Sequence, residues 1–447
     1  MNGRINCTRL TTRIKSRRRG GGTIASSPEA APDPTKGANL SKKSEGGHLY
    51  IQTSEIQNVV IHFLRAADGT ISETDRVLTG GAGSGSFNYR ATPPGLIVEG
   101  ANSVLMTPDK RLLFAINAGD NSVSSFEVAE NGKLTLLDVK RTGNPVSGKS
   151  GTAKSLEYAP STRTLYVLHT FGPAHIRLFS VDSGGYLRLR SERYAAVPAD
   201  KPGRVTTMLT ISPDEKFLLV GCSMDELPAT NPDGSPILWV TRNGHPHAIA
   251  ANAPDPDGLA VFPIGDAGAL GEPQFQDAGA SSPWCPLFLH NRPNQFVVGY
   301  ATADGLSLAA LDSSGGIATG PVVRADTSIG RPSELCWMAI TPDDGLVFAT
   351  MTGYGYVTSW RLEENILSIA KDPACEKPKG DGTFRGVGGI VGASPNDMWM
   401  SPDGAYLYQM YPNASKLVGY AIQPDGWLEE VTSAPIPYNT PQGVTGF

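Results

Sequence analysis

One arrangement recurs along this chain and limits what it can fold into. Residues 401–431, SPDGAYLYQMYPNASKLVGYAIQPDGWLEEV, hold a turn, an apolar run, a polar gap, a second apolar run, a Gly turn and a third run. The same order returns in TPDKRLLFAINAGDNSVSSFEVAENGKLTLL (107–137), APSTRTLYVLHTFGPAHIRLFSVDSGGYLRLR (159–190) and TPDDGLVFATMTGYGYVTSWRLEENILSIA (341–370). SPDEKFLLVGCSMDE (212–226) starts another copy, which resumes at ILWVTRNG or at GLAVFPIGDAGALGE after a long insertion. HNRPNQFVVGYATADGLSLAALDSSGGIATG (290–320) is a degenerate copy, and LYIQTSEIQNVVIHFLRAADGTISETD (49–75) opens the series without its leading turn.

A period of roughly 50–60 residues belongs to propeller blades and kelch-like units. Each unit has four short runs, counting the one before the turn, such as NSVLM (102–106), TTMLTI (206–211) and LCWMAI (335–340). These runs alternate with period 2 or are wholly apolar, as strands packed between neighbouring sheets require. The expected fold is therefore all-β: a seven-bladed β-propeller of four-stranded antiparallel blades. The first unit lacks its innermost strand, and QGVTGF (442–447) follows the last complete unit. Those C-terminal residues are expected to pair into blade 1 and close the ring, which removes the exposed edge.

Composition agrees. Gly 51 and Pro 35 supply turns, charged residues are only 18%, and a hydrophobic content of 40% suffices for a large core. The net charge of −5 is unevenly spread: the first 28 residues carry seven cations and no acid, so the remainder sums to −12. An acidic body argues against nucleic acid or an anionic membrane as partner. No run reaches the roughly 18 apolar residues of a membrane span. Residues 1–47 read as a disordered, basic, low-complexity segment ahead of a propeller over 48–447. An Arg-rich, acid-free start without an apolar core fits a mitochondrial address rather than a secretory one, with a cytoplasmic location favoured over both. Five widely spaced cysteines with no CxxC predict neither a disulfide framework nor a zinc site.

NAGDNSVSSFEV (117–128), TGNPV (142–146), LYVLHTFGPAHIRLFSVDSGGYL (165–187) and the terminal YLYQMYPNASKLVGYAI with IPYNTPQGVTGF resemble the lactonase-type seven-bladed propellers. That family includes carboxymuconate-cyclising enzymes and 6-phosphogluconolactonase-like proteins, and the likeness is greatest to the fungal branch labelled 3-carboxymuconate cyclase-like. The resemblance spans residues 48–447 and implies catalysis by a His, two Arg and a Glu facing the central channel. Lys154, in GTAKSLEYAP, stands about where the channel His would be. Arg204 falls three residues before the Arg position, and Asp225 and Glu226 lie near the Glu position.

In a propeller, ligands sit at the channel mouth, ringed by loops that enter the innermost strands and leave the second strands. Lys154, Arg204 and Arg331 occupy such positions and could hold substrate carboxylates. His169, after the run LYVL, could move a proton near neutral pH, and so could the acids Glu226 and Glu334. Asn117 and Gln442 could hydrogen-bond substrate at the rim. The insertion in blade 4 (225–258) is Pro-, Asn- and Asp-rich and is expected to arch over one face; its HPH (245–247) is too few ligands for a metal. GGAGSG (80–85) lacks the β-α context of a phosphate loop, and no Walker, GxSxG, HExxH or EF-hand pattern occurs. The expectation is a monomeric, cofactor-independent lactonase or lactone-forming cyclase for a small carboxylated or lactone substrate. The alternative is a non-catalytic propeller that binds a ligand or protein through its loop-rich face.

Overall fold

The computed structural model describes residues 45–85, 102–146, 152–223, 239–242, 245–248, 255–325, 335–380, 393–438 and 443–447. They form seven antiparallel sheets arranged as blades, each with its innermost strand at the centre. Blade 1 runs, from the centre outward, Gly443–Gly446, Gly47–Gln52, Val59–Arg65 and Ile71–Leu78. Blade 2 is Val104–Met106, Leu112–Asn117, Ser122–Val128 and Leu134–Arg141; blade 3 is Ala153–Ala159, Thr164–His169, Ile176–Val181 and Leu187–Tyr194. Blade 4 is Val205–Ile211, Phe217–Ser223, Leu259–Pro263 and Gln274–Gln276, which resolves the insertion. The repeat resumes at GLAVFPIG, whereas ILWVTRNG supplies a separate hairpin, Trp239–Arg242 against His245–Ala248. Blade 5 is Pro283–Phe288, Gln295–Tyr300, Gly305–Leu311 and Ile317–Thr319, with Val323–Arg324 also on its third strand. Blade 6 is Leu335–Ile340, Leu346–Met351, Tyr356–Glu363 and Ile366–Lys371; blade 7 is Met398–Met400, Tyr406–Tyr411, Lys416–Ile422 and Leu428–Pro435.

The recurring S/T-P-D turn has a fixed chemistry. Thr107 Oγ1 donates to Asp109 Oδ1 at 2.6 Å and accepts Leu112 N–H at 3.0 Å, which pins the start of the next strand. Ser212 with Asp214 (2.7 Å), Thr341 with Asp343 (2.6 Å) and Ser401 with Asp403 (2.5 Å) repeat it. The following residue takes a left-handed backbone in each copy: Lys110, Glu215, Asp344 and Gly404. A hydroxyl two residues before a carboxylate thus writes a turn into local sequence.

Hydrophobic residues are buried in layers between blades rather than in one central core. Tyr166, Leu168, Ile176 and Leu178 of blade 3 pack on Leu209, Leu218, Val220 and Phe262 of blade 4, and the other neighbouring blades pack in the same way. Because both faces of every sheet are covered, the second strands read as continuous apolar runs. Each fully buried Leu, Ile or Phe contributes about 1.5–3 kcal/mol. Tyrosines add a polar stitch from one blade to the Gly turn of the next: Tyr50 Oη to Gly132 O (2.7 Å), Tyr166 to Gly268 (2.9 Å) and Tyr408 to Gly69 (2.8 Å). At Gly69, with φ +82, a Cβ would lie 2.3 Å from the Tyr406 ring, so no side chain fits beneath this stitch.

The ring closes as the sequence predicts. Leu49, Tyr50, Ile51 and Gln52 pair with Gly446, Thr445, Val444 and Gly443, and His48 exchanges both backbone hydrogen bonds with Phe447 (2.8 and 2.9 Å). Removing residues 443–447 would leave the buried strand Gly47–Gln52 as an open edge. The truncated chain is expected to elute as aggregate in size-exclusion chromatography, while the full chain stays in one disperse peak; an unchanged elution profile would contradict this account of closure.

Candidate functional site

The seven innermost strands contact one another in an unbroken circle around the axis. In four consecutive blades the pairing of the innermost with the second strand slips at the same place. The breaks fall between Ala153 and Ser155, Thr206 and Leu209, Pro283 and Cys285, and Leu335 and Met338. Such a bulge turns an extra side chain out of the ladder, a device common beside active sites. Here the residues caught in the bulges include Lys154, Met208, Trp284 and Trp337, all buried.

They meet. Lys154 Nζ donates to Thr206 O at 3.0 Å and sits 5.2 Å from the centre of the Trp284 ring. Trp284 packs edge-on against Trp337, with ring centres 6.3 Å apart, and Cys285 Sγ lies 3.0 Å from Met208 Sδ. An ammonium only 1% exposed is tolerable because a carbonyl and an aromatic face replace its water. Trp284 is itself 7% exposed, and its indole N–H has no hydrogen-bond partner among the described residues.

Two carboxyls complete the site. Glu157 lies three residues beyond Lys154 on the same innermost strand and accepts a bond from Asn102 Nδ2 at 3.3 Å. Its side chain is half-buried. Asp397 stands directly before the innermost strand of blade 7. It accepts N–H bonds from Met398 (3.0 Å) and from Val444 of the closing strand (3.3 Å). Burial pushes both carboxyls up to about 8, and among the described residues the effects that oppose it are hydrogen bonds. Burial, then the charge of Asp397, raises the Cys285 thiol too, so Asp397 is within electrostatic reach of blade 5. At about 8, both carboxyls stay largely protonated near neutral pH.

The residues expected from sequence fall into three groups. Lys154 is buried on an innermost strand, against Thr206 and Trp284. His169 and Asn117 are held in contacts between blades, and Arg204 in an ion pair within blade 4. His169 is fully buried, with Nδ1 at 3.1 Å from His175 O and Nε2 at 2.8 Å from Thr142 Oγ1, and its own carbonyl accepts from Thr206 Oγ1 at 2.7 Å. Burial drives its pKa down to about 3, so the ring stays neutral. Arg204 forms a buried ion pair with Asp255 at the far end of the insertion, beside the pair Lys201–Asp257 (2.8 Å). Asn117 joins blade 1 to blade 2, accepting from Asn58 (2.9 Å) and Thr79 (2.6 Å) and donating to Ser122 (3.0 Å) and Ser124 (2.8 Å). Glu226, Arg331, Glu334 and Gln442 lie outside the described residues.

Sequence reasoning passed over Glu157 and Asp397. The available signal was an acid in or next to an innermost strand, in KSLEYA and in NDMWM, the same signal that singled out Glu334. Among the described residues no three His, Cys, Asp or Glu gather into a metal-binding group. No helix among them is long and apolar enough to cross a membrane.

No protein-family model and no curated protein matches the chain. Solved structures do. A Bacteroides uniformis protein described as a candidate 6-phosphogluconolactonase aligns over 90% of this chain and 100% of its own, at 14% identity and a TM-score of 0.63. The periplasmic gluconolactonase of Pseudomonas aeruginosa aligns over 90% and 99%, at 14% identity and a TM-score of 0.60. This is the lactonase-type propeller fold. A hypothetical selenium-binding protein from Sulfolobus tokodaii also aligns, over 90% and 93%, at 10% identity and a TM-score of 0.56. At such identities the lactonase-type propeller is a shared architecture, and its chemistry has to be argued from side chains.

The buried groups set opposite pH limits on stability. Glu157 and Asp397 titrate near 8 when folded but near 4 when unfolded, so between those values the native state binds more protons and stability falls as pH rises. His169, His175 and His62 titrate at about 3, 4 and 4 when folded, against roughly 6.5 unfolded, so stability rises with pH across that lower window. Thermal unfolding between pH 4 and 9 should therefore show a maximum close to pH 6.5. Asp397→Asn should lose less melting temperature between pH 6.5 and 8.5 than the wild type; an equal loss would refute the assignment of Asp397.

Proposed function

We propose that the protein is an enzyme that handles lactones, either hydrolysing one or closing one, on a small carboxylated substrate at the channel mouth. The reading is supported by the innermost strands, which carry the buried Lys154 and Glu157 with Asp397 directly before one of them, both carboxyls being raised by burial to about 8. The gluconolactonase named among the fold neighbours supports it at the level of fold only.

Both directions of the chemistry use the same parts. In cyclisation a substrate carboxylate oxygen bonds to one carbon of a C=C, and the electron pair of that double bond takes a proton at the other carbon. The product is an isomer, so no oxidant is needed. Asp397 or Glu157 donates the proton, and Lys154 pairs with a further carboxylate of the substrate. In hydrolysis water adds to the lactone carbonyl, the ring C–O bond breaks, and the departing alkoxide takes the proton. Lys154 then stabilises the charge that develops on the carbonyl oxygen. In this scheme His169 and Arg204 shape the walls of the site, while Arg331, Glu226, Glu334 and Gln442 are proposed at its rim on sequence position alone. The protein is proposed to act as a monomer. The burial of His169 and the pairing of Arg204 favour one other reading, a propeller that binds a small acid without converting it.

The test is a pH-stat screen over lactones run beside an absorbance assay with muconates. Turnover is expected to decline above pH 8 as the carboxyls ionise. Lys154→Met and Asp397→Asn should each lower kcat/KM by about 10²-fold or more. Full activity in both variants would sink this assignment. A ligand-induced rise in melting temperature without turnover would establish the binding reading instead.

A further inference from the structure

Asn102 lies two residues before the innermost strand of blade 2, between the closing strand on one side and blade 3 on the other. Its backbone is left-handed, with φ +58, a conformation that asparagine tolerates better than other residues with a Cβ. That conformation directs three polar groups of one residue to three neighbours. The N–H faces the Asp397 carboxyl, the C=O accepts Leu156 N–H at 2.9 Å, and the side-chain amide donates to Glu157 Oε1 at 3.3 Å. No other contact found among the described residues touches both acids.

We propose that Asn102 is a positioning residue of the channel, which fixes Glu157 through its amide and Asp397 through its backbone. The inference rests on the reading of Glu157 and Asp397 as the acids of the site. The amide bond to Glu157 and the N–H facing Asp397 each favour the ionised carboxyl and so restrain the upward drive of burial. The amide bond also selects one rotamer of a long side chain that would otherwise sample several. The other ionisable groups around this seam are Cys285, within electrostatic reach of Asp397, and Lys154, three residues up the strand from Glu157.

Two variants separate side chain from backbone. Asn102→Gly keeps the left-handed backbone and the N–H but deletes the amide. Asn102→Asp is isosteric and replaces the donor with an acceptor. In the pH profile of kcat/KM both should move the alkaline midpoint upward, by about half a pH unit or more, and Asn102→Asp by the larger amount. A residue that served only to support the backbone would leave the midpoint where it is. Independently of any substrate, denaturant unfolding at pH 7 of the wild type, Asn102→Gly, Glu157→Gln and the double variant forms a thermodynamic cycle. Coupling of several-fold in the unfolding equilibrium constant is expected, since the two side chains touch. Additive effects would overturn the role of Asn102 whether or not a lactone is turned over. Coupling without turnover would support Asn102 as a positioning residue and count against the lactone reading alone.

Discussion

Everything in this molecule depends on four residue pairs, Leu49 with Gly446 through Gln52 with Gly443. Six blades are built from consecutive sequence, but blade 1 takes its innermost strand from the C-terminal end. A propeller has no single core; it has layers between blades, and each layer needs two faces. If the closing strand is lost, the layers on either side of blade 1 lose a wall. The same strand presents Val444 N–H to Asp397, so closure and the orientation of a channel acid are one structural event.

The channel balances burial against hydrogen bonding. Two carboxyls and an ammonium have been taken out of water, and each has exchanged it for a limited set of partners. Lys154 has a carbonyl and a ring face among its partners, Asp397 has the N–H groups of Met398 and Val444, and Glu157 has the Asn102 amide. That is enough to hold the acids in place but not enough to keep them ionised near neutrality. A buried ion pair, such as Arg204 with Asp255, shows the opposite design: the charge is committed to a structural partner.

The fold was legible in the sequence because blade chemistry is local. The hydroxyl and carboxylate of SPD and TPD, the Gly turns and the apolar second strands each act within about ten residues, and closure followed from counting strands. Lys154 was legible as a strand-start cation. The resumption of blade 4 was ambiguous because ILWV and GLAVF have the same apolar pattern, and only pairing with Phe217–Ser223 distinguishes them. The fate of His169 was not legible, since its ring is captured by Thr142 from the preceding blade. Glu157 and Asp397 were missed because a channel position depends on bulges and on the stagger between blades, and neither leaves a periodic mark.

The base of the blade-4 insertion has a consequence for how such a protein can diversify. Cys222 N–H bonds to Gly258 O at 2.8 Å, and the ion pairs of Arg204 and Lys201 with Asp255 and Asp257 fasten the returning chain beside the point where it left. With its two ends tied together, the intervening chain can be lengthened, shortened or exchanged without strain reaching the blade. The entropy of closing a longer loop grows only with the logarithm of its length. New specificity can therefore be sampled at this base by insertion and deletion, at little risk to the ring that carries it.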